Sequence, residues 1–173
     1  MDSSLEIKNN PVAPKEFVTQ NLNVFEKILS ELESISEVAK GILSKNVCNN
    51  GKVDNALLEK FQNEAHGFAW FETYRFSLRE TLSWYNTLKK QNKDSELESC
   101  ILVYAFSEYL SQMRHGIMIS QSEVIRPSTL GLEDTSFSFC DTPDVKELIS
   151  YGISGSVKQS MMNSIENGIF PNL

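Results

Sequence analysis

Four charged residues, Glu72, Arg75, Arg79 and Glu80, interrupt a stretch that is otherwise mostly apolar. Glu72 and Arg75 stand three positions apart, as do Phe76 and Arg79, which is the spacing of neighbours on one helix face. Charges beside a buried stripe are costly unless paired and hydrogen-bonded. A single acid, Glu108, follows Leu97, Ile101 and Tyr104 on one face of a later helix. Two readings follow. In the first, Glu108 pairs with Arg75 or Arg79 between helices, or the charges form a solvated edge. In the second, they form a docking or ligand-facing patch, with an arginine gripping a carboxylate or phosphate through two parallel hydrogen bonds. Gln121, Glu123 and Arg126 extend the set of candidate polar residues into a later irregular segment.

Other chemistry is sparse, and no residue is assigned a catalytic, cofactor-binding or metal-binding role. The chain has neither a G-x-x-x-x-G-K-[ST] nor a G-x-G-x-x-G motif. Gly152-Ile153-Ser154-Gly155 reads as a plain turn, since no strand precedes it. A nucleophile–base pair would have to draw on His66 or His115. The first adjoins a packing glycine; the second sits at a helix C-terminus, where the helix dipole favours it. Both read as structural. Cys48, Cys100 and Cys140 form no C-x-x-C pair, which fits a reducing compartment better than a disulfide framework or a zinc site. The aromatic run Phe68, Trp70, Phe71, Tyr74 and Phe76 reads as core before it reads as a flavin or acyl pocket. Met161-Met162 faces a partner or fills a gap.

These residues sit in 173 positions, about one domain's length. With 16 Lys plus Arg against 23 Asp plus Glu, the formal net charge is −7, and no basic cluster appears. That balance excludes nucleic acid or an anionic membrane as the main partner. No apolar run approaches the ~20 residues of a membrane helix. The polar start, MDSSLEIKNN, lacks a targeting pattern, so the expected compartment is the cytoplasm.

The elements that position the charges are helical. Residues 1–13 read as a flexible tail, and residues 14–173 as one helical bundle domain. Pro14 and Glu16 open a helix predicted over 14–45, with Val18, Leu22, Phe25, Leu29, Leu32, Ala39 and Leu43 on one face. Asn49-Asn50-Gly51 makes a turn. Asp54 caps a second long helix carrying Leu57, Phe61, Phe68, Phe71, Leu78, Leu82 and Tyr85. Its apolar circumference makes it the expected central helix, and Gly67 marks a close helix–helix approach. Ser95 and Glu98 form a capping box for a third helix over 95–114, closed by Gly116. An irregular connection spans about 117–141. Thr142-Pro143 starts a short helix stopped by Gly152, and Ser154 caps a last one ending near Gly168. No strand-like alternation or repeat stands out. The fold class is all-α: a bundle of three long helices plus two short C-terminal ones.

Three stretches carry a resemblance. They are His66-Gly67-Phe68-Ala69-Trp70-Phe71-Glu72-Thr73-Tyr74 running into Leu78-Arg79-Glu80-Thr81-Leu82, then Phe106-Ser107-Glu108-Tyr109-Leu110-Ser111-Gln112-Met113, and Met118-Ile119-Ser120-Gln121-Ser122-Glu123-Val124-Ile125-Arg126-Pro127. In order and spacing they resemble the helical N-terminal extension of methylsuccinyl-CoA dehydrogenase-type acyl-CoA dehydrogenases. The resemblance covers most of the chain from about residue 14 and includes no catalytic signature. The family oxidises with FAD held largely by a middle β-domain, and with a catalytic glutamate in the main body. This chain shows no strand-rich segment, and Glu72, Glu108 and Glu123 match no active-site motif.

The resemblance therefore implies a non-catalytic accessory or docking module. FAD is expected only on a dehydrogenase partner, and residues 118–132 are the candidate docking segment. The partner is an acyl-CoA dehydrogenase-like catalytic chain. The alternatives are a bundle that itself binds an acyl-CoA or flavin, or one that associates with further copies of itself.

Overall fold

The computed structural model describes residues 12–172. The expected tail over 1–13 lies outside them except for Val12 and Ala13. The chain folds as helices α1 (Pro14–Gln20), α2 (Leu22–Val47), α3 (Asn55–Lys60), α4 (Gln62–Lys90), α5 (Glu96–His115), α6 (Pro143–Gly152) and α7 (Gly155–Glu166). Two antiparallel hairpins punctuate them: β1 (Cys48–Asn49) with β2 (Lys52–Val53), and β3 (Ile117–Met118) with β4 (Val124–Ile125). Two 3-10 segments, Pro127–Leu130 and Asp134–Asp141, complete the connection to α6.

Both long helices expected at the N-terminal end are broken once. At Asn21 (φ −114°, ψ 17°) the backbone leaves helical geometry, and the side-chain amide donates to the Phe17 carbonyl at 2.9 Å. That local bond competes with the continuing helical ladder. The second break falls at Phe61 (φ −105°, ψ 32°), between α3 and α4. Asp54 does cap α3, accepting from the amides of Ala56 at 2.9 Å and Leu57 at 3.1 Å. The Asn50-Gly51 turn joins β1 to β2 with φ of 51° and 75°, the left-handed pair a tight hairpin requires.

The central helix is α5, not the second long helix expected from its apolar content. It packs against α1, α4, α6 and α7. Cys100, Leu102, Val103, Phe106, Ser107 and Leu110 are all fully buried along it. The α4 helix buries one stripe, Phe71, Leu78, Leu82, Tyr85 and Leu88, and leaves Trp70 and Phe76 exposed. Phe25 of α2 meets Phe106 of α5 edge to face, with ring centroids 4.8 Å apart.

Gly67 is a close-approach residue, but its neighbour is not a helix. A Cβ there would meet Ile125 Cγ2 at 3.1 Å and Leu130 Cδ2 at 3.2 Å, so the 117–141 connection lies across it. That connection is docked, burying Ile125, Leu130, Leu132, Phe137, Phe139 and Cys140. Gly152 works the same way against α5, where a Cβ would collide with the Val103 carbonyl oxygen at 2.6 Å and with Ser107. It belongs to α6 rather than merely ending it. Thr142 stands at the N-cap of α6 with Pro143 at the first turn, yet its hydroxyl donates backwards to the Phe139 carbonyl at 2.8 Å.

Candidate functional site

The α2–α4 seam positions the charges that interrupt the apolar stripe. Along α2, Ser36 takes a place among Leu32, Ile35 and Ala39 that an aliphatic residue would otherwise fill. Its hydroxyl donates to Glu72 Oε1 at 2.6 Å. Arg75 clamps the same carboxylate in two places, Nε to Oε1 at 2.9 Å and Nη2 to Oε2 at 2.7 Å. Its remaining Nη1 donates to Glu33 of α2. Only 7% of the Arg75 side chain is exposed. Burial raises the Glu72 pKa, but the bonds from Arg75 and Ser36 outweigh it and hold the carboxyl below its usual value. The bond to Glu72 likewise raises Arg75, against the opposing effect of burial. Each of the three Arg75 nitrogens donates to a protein carboxylate, two to Glu72 and one to Glu33 of α2, so the seam locks two helices together.

The ion pair expected between Glu108 and Arg75 or Arg79 does not form. Arg75 turns to α2, and Arg79 pairs with its neighbour Glu80 at 3.0 Å on the exposed face. Both guanidiniums flank the exposed Phe76 ring, at 4.5 and 4.3 Å from its centroid. Glu108 instead lies in an apolar groove between α4, α5 and α7, with Thr81, Ile101, Tyr104, Tyr109 and Met161. Burial, and then the neighbouring Glu108, raise the Tyr104 hydroxyl above its usual pKa.

The remaining candidates sit on the β3–β4 hairpin and just beyond it. Gln121 is exposed in the loop. Glu123 approaches His66 of α4, with 3.7 Å between Oε1 and Nε2. The indole Nε1 of Trp70 donates to that same His66 nitrogen at 2.8 Å. Met118, paired with Val124 across the hairpin, is 70% exposed. Arg126 points to a different place, a pocket at the C-terminal end of α5. The seven polar candidates thus fall into four regions: the α2–α4 seam, the Phe76 face, the Glu108 groove, and the hairpin with its flanking pocket.

Sequence reasoning missed Glu33 and Ser36, the α2 partners of the seam. Ser36 had a signal, a small hydroxyl in step with Leu32, Ile35 and Ala39. It also missed Arg114, whose Nη2 donates to Asp141 Oδ2 at 2.8 Å across the connection. Among the described residues no cluster of three potential metal ligands occurs. Burial pushes the Cys100 and Cys140 thiols up to about 11, so both stay protonated near neutral pH. No helix among the described residues is long and apolar enough to cross a membrane.

The fold and these surfaces define an all-α helical domain, locked by a buried arginine–glutamate seam and carrying an exposed hairpin. No family model matches the chain. It is 40% identical over 105 residues to (2S)-methylsuccinyl-CoA dehydrogenase of Cereibacter sphaeroides. The match takes in 61% of this chain and 19% of that enzyme, so the chain spans only about a fifth of the relative's length. Identity at that level over more than half the chain supports an acyl-CoA dehydrogenase-like helical domain.

Proposed function

We propose that this domain is a non-catalytic accessory module that docks on the flavin-bearing body of an acyl-CoA dehydrogenase-like enzyme. One observation carries the reading: the identity to the dehydrogenase is confined to 19% of that much longer enzyme. The rest of such an enzyme is where FAD and thioester chemistry would reside. In support, the strands among the described residues amount to two hairpins of two-residue strands. The docking surface is the β3–β4 hairpin with the exposed Met118, Gln121 and Glu123, beside His66 and Trp70 of α4. Exposed Met118 and Trp70 supply the methionine and aromatic content enriched at protein interfaces, with Gln121, Glu123 and His66 as polar neighbours. Co-purification on the tagged chain tests the reading. A stoichiometric flavoprotein of acyl-CoA dehydrogenase sequence is expected, and lost when Glu123→Lys and Met118→Asp are combined. Recovery of the chain alone would contradict it.

A second reading is favoured by the Glu108 groove. At about 310 Å³ it falls at the low end of small-molecule sites, and its walls are Tyr104, Tyr109, Ile101 and Met161. Flavin bound there would change its own fluorescence on titration, and acyl-CoA would change the emission of the wall tyrosines Tyr104 and Tyr109. Silence with both FAD and acyl-CoA would remove this reading and leave the first untouched.

A further inference from the structure

The chain has four arginines, and two of them, Arg114 and Arg126, line one pocket together with one of its two histidines, His115. In a chain of net charge −7 that convergence stands out against the surrounding acid. The pocket holds about 380 Å³ and is open to solvent. Three separate elements build it: the last turn of α5, the segment after β4 with Arg126 and Ser128, and the 3-10 segment with Asp134.

The two arginines and the histidine have different degrees of engagement. Arg114 gives one N–H to Asp141, a carboxylate it shares with Lys146 at 3.3 Å. A guanidinium has five N–H donors in a planar fork, so most of Arg114's remain. Arg126 is exposed and has no ion-pair partner among the described residues. Its stem passes Gly116, where an added Cβ would lie in ordinary contact with Arg126 Cγ at 3.6 Å. His115 Nδ1 bonds the Ser111 carbonyl at 2.9 Å, which fixes the ring with Nε2 directed away from the helix backbone.

Two features oppose simple anion binding. The C-terminal end of α5 carries partial negative charge, and part of the positive charge of Arg114 complements it. Asp134 adds a carboxylate to the wall. Arg126 comes from outside the helix and owes nothing to that dipole. A carboxylate beside two forked cations is also a hydroxyl acceptor, the pairing that a sugar phosphate would satisfy and a bare anion would not.

We infer that this pocket binds the phosphate ester of a hydroxylated small molecule, with Arg114 and Arg126 on the phosphate and Asp134 on a sugar hydroxyl. Nucleotides and the phosphorylated head of coenzyme A share this chemistry. The inference does not rest on the accessory-module reading, because the chain alone would bind.

Isothermal titration of the full chain with AMP, with adenosine 3′,5′-bisphosphate and with inorganic phosphate tests it. Both nucleotides should bind in the millimolar range or tighter, with inorganic phosphate weaker. Arg126→Gln, at an exposed position, should weaken nucleotide binding about tenfold. Asp134→Asn should weaken the nucleotides relative to inorganic phosphate, which should bind somewhat tighter once the opposing carboxylate is gone, whereas Arg79→Gln, on the exposed Phe76 face, should change nothing. Tighter binding of the bisphosphate than of AMP points to coenzyme A as the source, and equal binding to a mononucleotide. Absence of nucleotide binding to the wild-type chain, or affinity unchanged by Arg126→Gln in a variant with wild-type circular dichroism, overturns the assignment.

Discussion

The backbone amide of Asn172 donates to Glu98 Oε1 at 2.8 Å, and its side-chain amide reaches the same oxygen at 3.0 Å. The other Glu98 oxygen accepts from the Ser95 amide at 2.9 Å and from the Ser95 hydroxyl. A fully buried carboxylate is thereby satisfied by the start of its own helix and by the far end of the chain. Burial raises the Glu98 pKa, but the bonds from Ser95 and Asn172 outweigh it and hold the carboxyl below its usual value. A folded pKa below the unfolded one means stability that is present above the unfolded value and lost as pH falls through the folded one. Asn172→Ala removes one of these bonds and the amide's further bond to the Lys93 carbonyl. It should cost about 1–2 kcal/mol in urea unfolding at neutral pH. The loss should shrink in acid, where Glu98 is protonated in both proteins.

Arg75 tests the α2–α4 seam. Arg75→Ala leaves the half-buried Glu72 with Ser36 as its one remaining hydrogen-bond donor, and should cost about 1–3 kcal/mol, the range for stranding a partly desolvated polar group. Replacing both charges, as Glu72→Leu with Arg75→Met, should recover most of that loss, since no charge is then stranded. Denaturant midpoints for the two single variants and the double variant give the comparison. A double variant less stable than either single one would contradict the seam as drawn.

Two glycines make opposite predictions. Gly152→Ala drives a methyl into the Val103 carbonyl and Ser107, whose hydroxyl already bridges Val103 and Leu148 carbonyls at 2.8 and 3.0 Å. It should lower stability by about 1–3 kcal/mol. Gly41, inside α2 with nothing within 4 Å of its Cβ position, should gain about 0.5–1 kcal/mol on substitution by alanine. Thermal melts of the two variants should move in opposite directions.

Lys27 of α2 bonds Asp144 of α6 at 2.8 Å, and with Thr142 it lowers the Asp144 pKa to about 2. The pair is partly exposed, so its stabilisation is small and screened by salt. It is present above the unfolded carboxyl's pKa and fades as pH falls towards about 2. Lys27→Met should return the Asp144 titration towards 3.8, its ordinary value, as followed by carboxyl carbon shifts.

Much of the fold was legible because its local signals act over a few residues. Asp54, the Asn50-Gly51 turn, the Ser95–Glu98 box and Ser154 each satisfy backbone groups within three or four positions. The breaks at Asn21 and Phe61 were not legible, since the apolar stripe runs through both without losing its phase. Nor was the central helix: apolar content marked the second long helix, while α5 is buried on more sides because small Ser99, Cys100 and Ser107 let neighbours close in. Helical spacing places Glu72 and Arg75 as neighbours on one face. It does not say which helix lies opposite, so Glu33 and Ser36 stay hidden, and of the alternatives open for Glu108 the pair with Arg75 or Arg79 is the one the structure lacks. Arg114 and Arg126, twelve residues apart across a hairpin, meet only once the connection docks.

The most direct measurement is the mass, by light scattering, of this chain mixed with the Cereibacter sphaeroides dehydrogenase from which the matching stretch has been deleted. The accessory-module account predicts one species with the summed mass and flavin absorbance, dispersed by Glu123→Lys combined with Met118→Asp. Two species at their separate masses, with a folded flavin-loaded dehydrogenase body, would contradict it.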